Sequence, residues 1–502
     1  MKKYNQFEII AILLLFGILL RITYLLASDI WRVDLFFYIE AARTMLDGGI
    51  LYKHFGDSHP PLGYFEFYWM AKFFGYNNFY LTIKVFTVVI QTLTAFIVYA
   101  IFSNIFSHRK GLCYALVFII LVTIDVTLWP HNIPFTHLLP VFAGIYFLVK
   151  DDFSPSFFSF FLSGFMFACA TLLSTNVIFY TLLVPTITMV NNGFKIKKII
   201  IDGAVAFIGF LIPFIMFGIY FYVNDALSDW YLWNVISAST YSGYKSGFWN
   251  FINLFYGLIK LWRWYPFVIL SIFALYKILK DKLYKNNKFM IFILGVLICS
   301  VISKLMMNKS VERYNLYLLP GILFLLGTGF GFISAKYKKI YMIITAVFVA
   351  VVLLQVNYSA WKNPYDRSFH VRNNLKKWIK ENVQKNDRIF VWIEGYEIYY
   401  ETKQKRALNS FYSPGEDLDK AKLWRSNNYK NIDKFWEKFL EEFKTYPPEY
   451  IVDLTLNLEE DNRDVRDGQH KYYYDIFKSF VDSNFCVINI IDGKYRILKR
   501  NF

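Results

Sequence analysis

The sequence predicts a polytopic α-helical membrane protein that ends in a water-exposed α/β domain, and three observations carry that expectation. Of its 502 residues, 56% are hydrophobic and 21% aromatic, more apolar weight than a soluble surface tolerates. The excess is gathered into runs of about 17–25 residues, the length that crosses about 30 Å of hydrocarbon at 1.5 Å per residue. These runs stop near residue 358, after which Lys, Glu, Asp and Asn become frequent. The division is a membrane body over residues 1–358 and a polar domain over 359–502, the latter large enough to hold its own core.

The first apolar run, Phe7 to Ala27, follows Lys2 and Lys3 and has no small-residue cleavage site after it. It therefore reads as a span rather than a signal peptide. Ten more follow near 79–106, 111–128, 134–149, 156–172, 174–190, 199–223, 264–280, 289–307, 315–334 and 340–357. Alternate loops carry Arg109 and Lys110, then Lys150, then Lys195, Lys197 and Lys198. The later ones carry Lys280, Lys282, Lys285 and Lys288, then Lys336, Lys338 and Lys339. Cationic loops resist translocation, so this set is cytoplasmic. About eleven spans then leave the C-terminal domain extracytoplasmic, on the side of the loop after the first helix. The 156–190 pair is the weakest part of this count, because losing one span there reverses the placement.

The formal charge of +16 is explained by these loops and implies no nucleic-acid partner. Cys113, Cys169 and Cys299 lie in apolar runs and Cys486 stands alone. No spacing suggests a metal site or a disulfide framework, so all four read as packing residues.

The loop over residues 28–78 is the most informative stretch. Leu35, Tyr38, Ile39, Ala42 and Leu46 recur at helical spacing, with Glu40, Arg43 and Asp47 on another face. That pattern predicts an amphipathic helix lying in the membrane interface. Gly48 and Gly49 would end it, and His59-Pro60-Pro61 would force an extended turn. Glu40 and Arg43, three apart, would form an ordinary surface pair.

The run Asp34-x3-Tyr38-x-Glu40-x2-Arg43-x-Met45-Leu46-x-Gly48, followed by Pro60-Pro61-x-Gly63-Tyr64, resembles the first external loop of GT-C glycosyltransferases. The likeness is to the branch holding protein O-mannosyltransferases and the aminoarabinose transferase of lipid A. It continues through Phe74-Gly75-x2-Asn78, Thr92-Leu93-Thr94-Ala95, Arg313-Tyr314 and Tyr317-Leu318-Leu319-Pro320. The resemblance implies a GT-C fold and transfer of a hexosyl or pentosyl unit from a polyprenyl-phosphate donor. The acceptor would be a surface glycan, lipid or protein at the outer face, amid membrane lipids. It also implies that Asp34 is the general base of an inverting displacement.

The chemistry of such a reaction asks for the same groups. A base must take the acceptor's proton, and cations or hydrogen-bond donors must hold the departing phosphate. Asp34, just above the membrane, suits the first task; alternatively it caps the first turn of the helix. His59 matches a position that is Lys in the aminoarabinose transferase and His in many relatives, and is otherwise a solvated turn residue. Tyr38, Glu40 and Arg43 would shape the site. Phe37 departs from the aminoarabinose transferase, which has Arg there, so the phosphate contact is expected from Arg313, or else from Lys245 or Arg263. The alternative for these three is snorkelling to the interface. Tyr317 could hydrogen-bond the phosphate or sit in an aromatic belt. His131 and His137 are six apart, which is no zinc motif, and the need for a divalent metal is left open.

The aromatic stretch Asn224 to Trp264 reads as a mobile external loop over the site, or as an interfacial anchor. Beyond it the domain reads as helix 374–383, strand 387–393, helix 396–404, helix 432–444, strand 450–453, helix 473–482 and a hairpin over 485–499 turning at Asp492-Gly493. That alternation predicts a three-layer sheet unit. Glu394, Glu397 and Asp453 read as ordinary carboxylates. Two other functions compete: a transporter or lipid-linked-sugar flippase, and a non-catalytic scaffold. A transporter calls for charges within the spans, and apart from Lys84, Asp125 and Lys304 the spans are nearly charge-free.

Overall fold

The computed structural model describes residues 5–26, 33–56, 59–76, 79–126, 133–237, 247–285, 287–307, 312–362, 372–392, 395–407, 437, 439–454 and 469–501. The first helix, α1 (Gln6–Leu20), starts at a capping box in which Asn5 and Glu8 satisfy each other's backbone N–H groups. Two helices of the 28–78 loop follow, α2 (Val33–Leu46) and α3 (Pro61–Phe74). The turn between them needs Gly48, whose φ of +90° suits glycine alone. Pro60 is extended and Pro61 occupies the first helical turn, where its missing N–H costs nothing. α3 was not anticipated: the apolar residues after the two prolines look like a return to the membrane.

The body continues with α4 (Phe79–Ile105), α5 (His108–Val126), α6 (Leu138–Val149) and α7 (Phe157–Leu173). Next come α8 (Leu183–Asn192), α9 (Ile196–Val223), α10 (Gly247–Lys260) and α11 (Tyr265–Lys280). It closes with α12 (Lys288–Met306), α13 (Leu319–Phe332) and α14 (Ala335–Lys362). Five stretches among the described residues are long and apolar enough to cross a membrane: 79–105, 196–223, 288–306, 314–332 and 335–358. Shorter apolar helices, α1, α6 and α7, join them. The expected span at 174–190 is broken, since Thr175–Leu182 is a 3-10 segment leading into α8. The expected loop at 224–264 is largely helical, with Leu227–Tyr231, a π turn at Leu232–Ser237 and α10.

Glycines bring α7 and α9 into close contact. A Cβ on Gly164 would lie 1.8 Å from the Ala206 carbonyl oxygen, and one on Gly209 would lie 2.1 Å from that of Phe161. Small residues at such crossings let helix backbones approach where no hydrophobic force drives them together. The outward faces of α9 and α14 carry exposed Phe207, Ile208, Ile215, Ile219, Ile343, Val347 and Leu354, a lipid-facing surface that water would penalise.

The C-terminal region builds a five-stranded mixed sheet from β1 (Arg388–Trp392), β2 (Lys405–Arg406), β3 (Tyr450–Asp453), β4 (Phe485–Ile491) and β5 (Tyr495–Arg500). The order is β2-β1-β3-β5-β4, with β1 parallel to β2 and β3, and β5 antiparallel to β3 and β4. Alternation along the strands sends Ile389, Val391, Tyr450, Val452 and Ile497 to one face, against Leu375 and Ile379 of α15 (Asn373–Asn382) and Ile398 of α16 (Tyr396–Thr402). Phe390, Trp392, Ile451 and Leu498 face the other way, onto Phe439, Phe443 and Phe477, the last from α17 (Gln469–Asn484). That second core is continuous with Leu35, Phe36 and Ile39 of α2.

Two expectations fail here. Glu397 and Asp453 are not ordinary carboxylates: Glu397 is buried and bonded to Arg372, and fully buried Asp453 pairs with Arg496 at 2.8 Å. Burial pushes the Glu397 carboxyl above its usual range, against the pull of Arg372. Glu394 lies outside the described residues.

Candidate active site

α2 begins at Val33, which puts Asp34 in its first turn. The side chains of Asp34 and Arg313 lie outside the described residues, as do Lys245 and His131 entirely. Asp34 and Tyr38, four apart, share one face of the helix. Tyr38 is buried with its ring 6.0 Å from His59 and 5.1 Å from Tyr64, and it stacks on Phe67 at 5.1 Å. The His59 carbonyl accepts hydrogen bonds from Tyr52 Oη (2.7 Å) and Asn234 Nδ2 (3.2 Å). Both halves of the sequence motif thus fold into one unit at the start of α2, roofed by the π turn, whose Trp233 lies against Gly56. Phe37 packs on Phe55 at 4.7 Å, so aromatic packing fills the position where a relative has Arg.

Glu40 corrects the surface-pair expectation. It is fully buried, accepting from Tyr76 Oη at 2.8 Å, with Arg43 Nη1 3.9 Å away. Burial raises its carboxyl above the ordinary range, and Arg43 and Arg406 pull it back. Arg406 also donates to Thr44 Oγ1, so α2 is gripped from the C-terminal sheet. The apolar residues Leu35, Phe36, Ile39, Ala41 and Ala42 of α2 are all buried, and the helix packs against α3 and α16.

A second set of polar groups extends from α3 into the body. Glu66 bonds Thr136, and burial pushes its carboxyl up to about 8. Its Oε2 atom is sealed from solvent. The next residue, His137, is buried and stacks on Tyr317 at 4.8 Å with 13° between the rings. Tyr317, in the 3-10 segment Glu312–Leu318 that also contains Arg313, bonds Ser174 through its hydroxyl. Tyr314 stacks on Tyr317 at 6.3 Å, and the ammonium of buried Lys304 lies 5.9 Å from the Tyr314 ring. The Arg263 guanidinium lies 4.9 Å from the Trp262 ring.

Sequence reasoning left four groups out of the candidate site: half-buried Glu66 and buried Lys84, Lys304 and Arg21. Lys84 lies 4.6 Å from the Tyr80 ring and Arg21 lies 5.8 Å from that of Phe135. The available signal was a charge inside an apolar run, which rarely survives there without a purpose. Among the described residues, no group of three or more His, Cys, Asp or Glu is placed to hold a metal ion.

Helices long and apolar enough to cross a membrane, the α2–α3 pair and a C-terminal sheet together give the chain an overall fold shared with solved structures of low sequence identity. It is similar to ArnT from Cupriavidus metallidurans bound to undecaprenyl phosphate, with TM-score 0.55 and 10% identity over 97% of this chain and 98% of that one. The apo state of the same protein gives TM-score 0.54 at 9% identity, covering 97% of each chain. The apo oligosaccharyltransferase of Archaeoglobus fulgidus gives 0.51 at 11% identity, over 90% of this chain and 70% of that one. The sequence matches no family model and no curated protein.

Proposed function

We propose that the protein transfers a sugar from a polyprenyl-phosphate donor to an acceptor hydroxyl at the outer face of the membrane. The observation that carries this reading is the union of the two motif halves, with Tyr38 against His59 one helical turn from Asp34. The GT-C fold supports it, as does the likeness to a structure bound to undecaprenyl phosphate. In this reading Asp34 takes the acceptor's proton while the acceptor oxygen attacks the anomeric carbon. The bond to phosphate breaks, the anomeric centre inverts, and polyprenyl phosphate leaves with one more negative charge. That growing charge is met by His59 and by cations from the external ends of the helices, Arg313 and buried Lys304 first. Tyr38 and Tyr317 hold the walls of the site, Glu40 and Arg43 its frame, and Lys245 and Arg263 flank it.

The membrane body over 1–358, crossing about eleven times, would put the 28–78 loop and the domain over 359–502 together on the extracytoplasmic side, supported by the cationic loops of the opposite set. The test is purified protein in nanodiscs with a panel of polyprenyl-phosphate sugars. Release of polyprenyl phosphate on adding acceptor is expected; passage of the donor across a vesicle bilayer without release would instead favour a flippase.

A further inference from the structure

At the far end of α2 from Asp34, a cavity of about 490 Å³ opens between the α2–α3 turn and the edge of the sheet. Arg43, Arg388, Lys405, Arg406 and His54 line it, and Asp47 is the one carboxylate among its lining residues. Behind the wall, Glu449 lies 3.6 Å from Arg388 and buried Glu40 lies 3.9 Å from Arg43. Arg43 Nη1 is buried and makes no hydrogen bond among the described residues. The pocket therefore gathers four guanidinium or ammonium groups from two separate parts of the chain, and among the described residues Arg43 Nη1 has Glu40 at ion-pair distance but no hydrogen bond.

We propose that this pocket binds a phosphodiester or carboxylate group of an anionic acceptor chain, a subsite remote from the reacting hydroxyl. The proposal rests on the transferase reading above. Guanidinium forks suit such oxyanions in direction as well as charge. Asp34 and the pocket occupy opposite ends of α2, about 14–20 Å apart along its axis at 1.5 Å per residue. An acceptor reaching both must be extended, with an anionic group remote from the reacting hydroxyl. Binding in the pocket would draw its end toward Asp34, so that energy from a distant contact lowers the barrier at the reacting bond.

The test uses the full chain in phosphatidylcholine nanodiscs and measures equilibrium binding of a labelled glycerol-phosphate oligomer and of a neutral oligosaccharide of equal length. The charged probe is expected to bind more tightly and to weaken as salt is raised. Lys405→Glu, at an exposed position, should lower that affinity roughly tenfold or more, the scale of one lost charge-assisted hydrogen bond. Lys377→Glu, exposed on α15, should leave it unchanged. Equal binding of both probes, or equal losses in the two variants, would overturn the proposal. So would binding that appears only with phosphatidylglycerol in the disc and not with the soluble probe, because the site would then hold lipid headgroups. A protein that binds the charged probe yet releases no polyprenyl phosphate from any donor would refute the transferase reading while leaving the anion site standing.

Discussion

Glu66→Gln should stabilise the protein, by a margin that widens as pH rises from 5 to 8. The Glu66 carboxyl is pushed from its ordinary 4.5 to about 8 by burial, so the folded state keeps a proton that the unfolded chain gives up. Between those two values, each rise of one pH unit removes about 1.4 kcal/mol of stability. The cost of Glu66 is thus on the order of 3 kcal/mol at pH 7 and about 5 kcal/mol above pH 8, upper bounds for a side chain that is only half-buried. Gln is neutral at every pH and can keep the bond to Thr136. Thermal unfolding of both proteins in one detergent from pH 5 to 8.5 reads the difference. A gap that stays constant with pH, or a variant that is the less stable at pH 8, would refute the assignment of a neutral Glu66.

Two further predictions concern packing. Glu40→Ala should destabilise the protein by about 3–5 kcal/mol, because Arg43 and Arg406 would lose the buried carboxylate that offsets them; denaturant titration checks this, and a wild-type midpoint would contradict it. Gly164→Leu should cost about 1–3 kcal/mol or more, since its side chain would meet the Ala206 backbone. The measurement is thermal stability in detergent, and an unchanged melting temperature would show that α7 and α9 separate freely.

How much could be read from the sequence follows from which force shapes each part. Lipid-facing helices such as α9 are hydrophobic over a spanning length, and hydropathy finds them. Helix α15, strands β1 and β3 and the turn at Asp492-Gly493 follow from period and turn chemistry. The segment Thr175–Leu182 was read as part of a span, because hydropathy does not register a change from α to 3-10 geometry. α3 was missed because one of its faces, with Tyr64, Phe67, Met70 and Ala71, packs against other protein, a difference composition does not record. Glu40 was misjudged for a related reason: its partner Arg406 lies 366 positions away. The pairing of Tyr38 with His59 was legible only as a motif; the link from Glu66 through Thr136 and His137 to Tyr317 depends on three chain segments meeting, and no local pattern announces it.

The central claim is that Asp34 is the base of a sugar transfer. Its most direct test is Asp34→Asn in nanodiscs, with donor binding and release of polyprenyl phosphate measured on the same preparation. An amide keeps the shape of the side chain and loses the basicity, so donor affinity should hold while turnover falls by about 10²–10⁴. Turnover at the wild-type rate would contradict the account and leave Asp34 as a residue that only stabilises the first turn of its helix.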